Sequence, residues 1–277
     1  MPQHMDTTES AATISQAIER NTVDFLWRWD VYAAPKSDTM RSSGSLATQM
    51  LTIYNCVVGA NLTTETVDEA IQDSIARFST HGVPGCWRVG PSMRPLDIPE
   101  RLGAAGFQHA GDEPGVAINL SIVSDVWAHP EGLTIKRVYS EQELDIWTQI
   151  LAVDFYDGAR EARLVGTLFR QIGLEESAPW HHYIGYLHTE PVATLSLFYH
   201  AGVVGLYYGA TIPSARRRGI LNAMVHSVLH DARKLGYRLG VCGASAMSYS
   251  IGMRMGFQEY CRFGVYVWKP STASTPQ

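Results

Sequence analysis

The sequence predicts an α/β protein made of two mixed-sheet α/β sandwiches in tandem. Three observations lead there. Strand-like and helix-like stretches alternate along both halves, the pattern of sheets flanked by helices. The tripeptide Gly106-Phe107-Gln108 returns as Gly256-Phe257-Gln258, each time between a short helix and a strand, which marks a tandem duplication. The 277 residues, 45 % of them hydrophobic and ordinary in glycine and proline, supply enough material for two cores. They exclude collagen-like repeats and low-complexity disorder.

In the first half, Ile14, Ile18 and Phe25, with Glu19 and Arg20 outward, predict a helix over Ala11–Arg28. Met50–Val58 is a β-rich run. Thr64–Arg77 reads as a helix capped by Thr64, with Val67, Ile71 and Ile75 on one face and acids in its first turns. Cys86–Val89 is a strand, Pro99–Ala105 a short helix and Gly115–Ile122 another strand. The segment 124–132 is the linker candidate, which sets the domains at 1–124 and 133–270.

In the second half, Leu133–Val138 is a strand, followed by helices over Glu141–Phe155, opened by Ser140, and Glu161–Ile172. Strands follow at Tyr183–Leu187, Val192–Tyr199 and Val203–Ile212. Arg217–Leu235 is a long helix with Met224, Val228 and Leu235 toward the core. Leu239–Gly243 is a strand, Tyr249–Met255 a helix and Tyr260–Trp268 the last strand.

The formal charge of −5 argues against a general nucleic-acid binder. Residues 1–130 carry eight basic and fifteen acidic side chains, against fourteen and twelve in residues 131–277, so the two halves meet different partners. Cys56, Cys86, Cys242 and Cys261 are widely separated and form no CxxC pair. The opening MPQHMDTTES lacks an apolar signal core. The charge-free stretch 191–215 carries His200, Gly202, Gly205 and Gly209 among β-branched and aromatic residues, which suits a buried hairpin better than a membrane span. A soluble, cytoplasmic protein is expected, with no membrane partner.

The sharpest chemical signal is Pro213-Ser214-Ala215-Arg216-Arg217-Arg218-Gly219-Ile220, between an apolar strand and a long amphipathic helix. A glycine-bearing turn into a helix directs backbone N–H groups at the positive helix end, which favours phosphate. Three arginines add charge. A lone basic turn of this kind is more often a solvated surface feature, but here the helix behind it is anchored on a core.

With Pro213 ahead of Arg216-Arg217-Arg218-Gly219-Ile220-Leu221, and with Gly256-Phe257 after a short helix, residues 133–268 resemble the GNAT superfamily of acyl-coenzyme A-dependent N-acyltransferases. Leu221 departs from the family's Gly or Ala. The resemblance implies two GNAT-like αβα domains in tandem, each a mixed central sheet flanked by helices. It implies that amides from Arg216 to Leu221 hold the pyrophosphate of acetyl-coenzyme A. The pantetheine arm would pair with Ala210, Thr211 and Ile212, and an amide near Ala210 would polarise the thioester carbonyl. The cosubstrate is thus an acyl-coenzyme A, with no metal, and the acceptor a small-molecule amine; a homodimer is an open expectation.

The family's usual acid, a Tyr, falls on Gly252, and its companion Asn on Ser245. Tyr249, one turn away, is the remaining acid candidate. Strand alternation sends one of Tyr207 and Tyr208 to the cleft, with Tyr208 the catalytic candidate. Asp154, Asp157 and Glu161 cluster where the acceptor would be framed, although turn and cap acids are as common. His181, His182 and His200 are base candidates with an equally good structural reading. His226 and His230, at metal-compatible spacing but without a third ligand, are not read as a zinc site. At the repeat spacing, Thr66-Val67-Asp68-Glu69 stands opposite the arginine turn, so the first half reads as a silent copy. A non-catalytic acyl-coenzyme A sensor and a GNAT-fold enzyme with altered chemistry are the rival readings.

Overall fold

A computed structural model describes residues 9–31, 42–43, 55–80, 82–154 and 158–270. In chain order its elements are α1 (Ala11–Val31), β1 (Ser42–Ser43), β2 (Cys56–Val58), α2 (Val67–Thr80), β3 (Gly85–Val89), α3 (Ile98–Ala104) and β4 (Gln108–Asn119). Then come β5 (Leu133–Arg137), α4 (Glu141–Leu151), α5 (Gly158–Ile172), β6 (Trp180–Leu187), β7 (Glu190–His200), β8 (Val203–Thr211), α6 (Ile220–Lys234), β9 (Leu239–Gly243), α7 (Ala246–Met255) and β10 (Gln258–Trp268). The alternating α/β architecture is as expected; most of Met50–Val58 lies outside the described residues. None of the described helices is long and apolar enough to cross a membrane.

The compact units do not follow the boundary expected at 124–132. One comprises Met1–Thr22 with Gly115–Tyr260, the other Val23–Pro114 with Cys261–Gln277. The reason lies in strand pairing. Residues 115–119 of β4 pair antiparallel with β9, while residues 264–268 of β10 pair antiparallel with β3. The strand after each Gly-Phe pair therefore completes the sheet of the other half.

In the unit built on Val23–Pro114, β2 and β3 run parallel and β10 antiparallel to β3. Val67, Ile71 and Phe78 of α2 and Ile98 and Leu102 of α3 share its core with Trp87 and Phe107. The indole of Trp87 donates to Ser74 Oγ at 3.0 Å, so this buried polar atom is satisfied. Helix α2 starts three residues later than expected, because Thr63–Thr66 close a turn first: the N–H of Thr63 donates to Thr66 Oγ1 and its carbonyl accepts from Val67.

In the unit built on Gly115–Tyr260, the sheet order is β5-β6-β7-β8-β9-β4. Alternation sorts its strands. Tyr183, Leu195, Leu197, Val204 and Leu206 share a core with Met224 and Val228 of α6, while Trp147 of α4 and Phe169 of α5 pack on His182 and Tyr208. Ser140 and Glu143 form a reciprocal capping box that fixes the start of α4. That helix ends at Leu151 in a 3₁₀ turn, Ala152–Asp154, shorter than expected.

Three orientations differ from expectation. Glu19 is buried rather than outward, as are Asn21 and Thr22 after it. Leu235 caps the end of α6 and is exposed. His226 and His230, expected from the sequence on the polar side of the long helix, pack around Trp127 from the 124–132 segment, and His230 bonds Asp125. That segment is fastened rather than loose: Arg233 bonds the Val123 carbonyl and the Asp125 carboxylate.

The repeat is visible as geometry. Gly106 and Gly256 both take left-handed φ, +93° and +97°. The next amide reaches back to close the helix in each copy, Phe107 to the Leu102 carbonyl at 3.0 Å and Phe257 to that of Gly252 at 3.1 Å. Both phenylalanines then enter a core.

Candidate active site

The site begins where β8 and β9 part. They pair in parallel only at Val204–Gly240 and Gly205–Val241. Beyond that point β9 pairs with β4 on its far side, and the edge of β8 from Leu206 to Thr211 faces a gap. A strand edge that its neighbouring strand has left, inside a folded unit, is a place for an amide-bearing ligand.

The edge is not regular. On β7, Thr194 pairs with Ala210 and Ser196 with Tyr207, so Tyr208 and Gly209 together oppose Leu195 alone. This is a β-bulge, and Tyr208 sits in it at φ +55°. The carbonyl freed by the bulge, that of Tyr208, accepts from Thr194 Oγ1 at 2.9 Å. The bulge also corrects the expectation that the two tyrosines face opposite ways. Both rings touch Trp180, Tyr207 at 5.6 Å and Tyr208 at 6.3 Å between centroids, because the extra residue cancels the alternation.

The bulge shifts the expected ligand-facing amides as well. Ile212 donates its N–H to Val192, and two residues earlier Ala210 pairs with Thr194, so both face β7. Of the three residues assigned to the pantetheine arm, Thr211 is the one turned to the gap. Its carbonyl accepts from Arg216 Nε at 2.9 Å.

The strand leads through a 3₁₀ turn at Pro213–Ala215 into the arginine turn. Helix α6 starts at Ile220 rather than Arg217, because Arg217 and Gly219 adopt φ of +60° and +76°, which the helix cannot include. No side chain caps this start, and the first bond into the helix runs from Ala223 to the Gly219 carbonyl. Amides ahead of Ala223 thus lie at an uncapped helix N-terminus, beside exposed Arg216, Arg217 and Arg218.

Leu221 lies beside the bulge: a Cβ built on Gly209 would meet its Cδ1 at 3.4 Å, an ordinary contact.

The remaining candidates are distributed around this centre. Tyr249, on α7, donates its hydroxyl to Glu259 at 2.9 Å, a partner the sequence did not suggest. Ser245 is the N-cap of that helix, accepting from the Ser248 amide. A Cβ on Gly252 would meet Phe257 at 3.7 Å, an ordinary contact. Asp154 ends the 3₁₀ turn after α4, Glu161 is buried in the first turn of α5, and Asp157 lies outside the described residues.

His182 is enclosed by Trp147, Phe169 and Trp180, and its Nδ1 lies 2.7 Å from Ser196 Oγ. Burial lowers its pKa from 6.5 to about 3. His181, whose Nε2 meets the Glu176 carbonyl, is lowered to about 4, again chiefly by burial. Both imidazoles are neutral near pH 7, so neither can serve as an acid there. His200 stacks on Phe198 at 5.4 Å.

No protein-family model and no curated protein matches the chain. Solved structures do. A GCN5-related N-acetyltransferase from Kribbella flavida superimposes with a TM-score of 0.67 at 16 % identity, covering 92 % of this chain and 96 % of that one. A tandem GNAT protein from the clavulanic acid biosynthesis pathway gives 0.60 at 12 % identity, covering 99 % of both chains. A GNAT-family acetyltransferase, described as putative, from Novosphingobium aromaticivorans gives 0.54 at 12 %, covering 89 % and 97 %. The chain therefore has the GNAT fold in its tandem form.

Proposed function

We propose that the chain is an N-acyltransferase that moves an acetyl or other short acyl group from coenzyme A to the amine of a small molecule. One observation carries the reading: the open edge of β8 leads directly into an uncapped helix start flanked by Arg216, Arg217 and Arg218. Charge-assisted bonds and helix-end amides together suit a pyrophosphate, and the parted strands suit the amides of a pantetheine arm. The solved structures of the same fold that are described as acetyltransferases support the same class of reaction.

In this reading the amine nitrogen attacks the thioester carbon within a ternary complex. Amides of the Tyr208–Gly209 bulge stabilise the oxygen that gains charge. The carbon–sulfur bond breaks, the nitrogen loses a proton to water, and the thiolate takes one from Tyr249 or water. The second unit binds no acyl donor. Its α2 opens with Asp68 and Glu69, and Asp68 pairs with Arg101 at 2.7 Å, so that helix end already has its negative charge.

Calorimetry with coenzyme A and acetyl-coenzyme A, followed by thiol release across an amine library, tests the reading. One binding event per chain and thiol release with some amines is the expected result. Absence of binding sinks it. Binding without release for any amine favours the sensor reading, which Gly252 and the commitment of the Tyr249 hydroxyl to Glu259 also support.

A further inference from the structure

The active-site bulge is fastened from the other end of the sequence. Asn21, on α1, is fully buried and belongs to the same compact unit as β7 and β8. Its Nδ2 donates to the carbonyls of His200, at 3.2 Å, and Phe198, at 3.5 Å, on the outgoing end of β7. Its Oδ1 accepts the Tyr207 hydroxyl at 2.7 Å, from a residue 186 positions away. The backbone opposite has been cleared for it: a Cβ on Gly205 would lie 2.2 Å from Asn21 Oδ1, so only glycine fits there.

Tyr207 is the residue immediately before the bulge. In a regular strand, Tyr207 and Tyr208 would point to opposite faces. Here both lie against Trp180, and Tyr208 holds a backbone angle that non-glycine residues disfavour. Erasing the bulge means sliding residues 203–207 by one position against β7, which would turn Tyr207 to the opposite face, so a hold on Tyr207 and on β7 together opposes that slide. The Asn21 side chain, gripping both strands of the hairpin at once, supplies that hold.

We infer that Asn21 is a positioning residue: by anchoring Tyr207 it keeps the Tyr208–Gly209 bulge formed, and so sets the turnover rate without touching substrate. The inference rests on the acyltransferase reading for its catalytic half. The clamp itself does not depend on that reading.

Asn21→Leu removes all three bonds at similar volume, and Tyr207→Phe removes only the hydroxyl. In the full-length chain, amide exchange read by mass spectrometry over residues 203–212 is compared with that over α6. Thiol release gives kcat and KM for acetyl-coenzyme A with an active amine, and calorimetry gives the affinity for coenzyme A. Expected for both variants is exchange at least tenfold faster around Tyr207–Ala210 and unchanged in α6. The kcat should fall about tenfold or more, while coenzyme A affinity stays within twofold. Faster exchange with kcat unchanged overturns the positioning role, as does a kcat loss matched by equal loss of coenzyme A affinity. Unchanged exchange overturns the clamp. Should Asn21→Leu not fold, Tyr207→Phe decides alone, since it keeps the ring packing. A wild-type chain that binds no coenzyme A would fail the functional reading, whereas the exchange result would still judge the clamp.

Discussion

Helices α6 and α2 occupy corresponding places in the two halves and begin in opposite ways. Before α6 the chain runs Arg217-Arg218-Gly219, with left-handed backbone at the first and last of these, no side-chain cap and three exposed arginines beside it. Before α2 it runs Thr64-Glu65-Thr66, a turn closed by its own threonine hydroxyls, and the helix then places Asp68 and Glu69 in its first turn. Both starts resolve the same problem, the unpaired amides and partial positive charge of a helix end. One solves it with its own carboxylates. The other has no side-chain cap, and there the proposed reading seats the pyrophosphate. The difference teaches that two copies of one fold can diverge at a single helix turn while the core behind each stays intact.

The strongest way to break the comparison is to reverse the charge. Arg217→Glu with Arg218→Glu should weaken coenzyme A binding by about a hundredfold or more, since each lost charge-assisted contact costs about 1.5–3 kcal/mol. Unchanged calorimetric affinity would remove the arginine turn from the site. Acid should separate the units next. The folded imidazoles of His181 and His182 resist protonation, with pKa values lowered from 6.5 to about 4 and about 3, whereas unfolded ones do not. Below pH 6.5 the unfolded chain therefore binds more protons, and stability falls as pH drops toward 4, by up to about 1.4 kcal/mol per pH unit for each histidine. Urea titrations at pH 7 and pH 5 should show this loss, and His182→Gln should flatten it.

Smaller changes sharpen the contrast. Gly219→Ala meets no atom within 4 Å, so it should cost only the strain of left-handed backbone, about 1–2 kcal/mol, read as a lower Tm. Tyr249→Phe should lower kcat less than tenfold, because its hydroxyl is held by Glu259; a larger drop with coenzyme A affinity intact would make it the acid. Asp68→Ala should leave coenzyme A binding unaltered, and any gain of a second binding event would show the first copy to be restorable.

Much of this was legible in the chain. The order of elements, the hairpin at β7–β8, the Ser140 cap and the repeated Gly-Phe closure follow from local patterns, which depend on neighbours a few residues away. What was hidden depends on partners far off. The bulge at Tyr208 is held by Thr194 and Leu195 across the strand and by Asn21 through Tyr207, and no local signal announces it. Tyr249 looked like a free acid because Glu259 lies on the following strand. The start of α6 was misplaced by three residues because Arg217 takes a left-handed angle that arginine seldom adopts. Even the repeat spacing misleads slightly, since the Gly-Phe pairs match at 150 positions while the helix starts, Val67 and Ile220, do not.

The crossing of β4 and β10 sets a timetable for synthesis. The sheet that holds β2 and β3 cannot close until residues 264–268 have been made, a pairing that spans about 180 positions and makes for slow, non-local folding. At roughly 5–20 residues per second, β3 waits on the order of ten to thirty seconds on the ribosome for its partner. During that wait Val57, Trp87 and Phe107 have their helices but only part of their sheet. The first half of the chain is thus the half that finishes last, and a nascent chain stalled before β10 would expose it to chaperones and proteases.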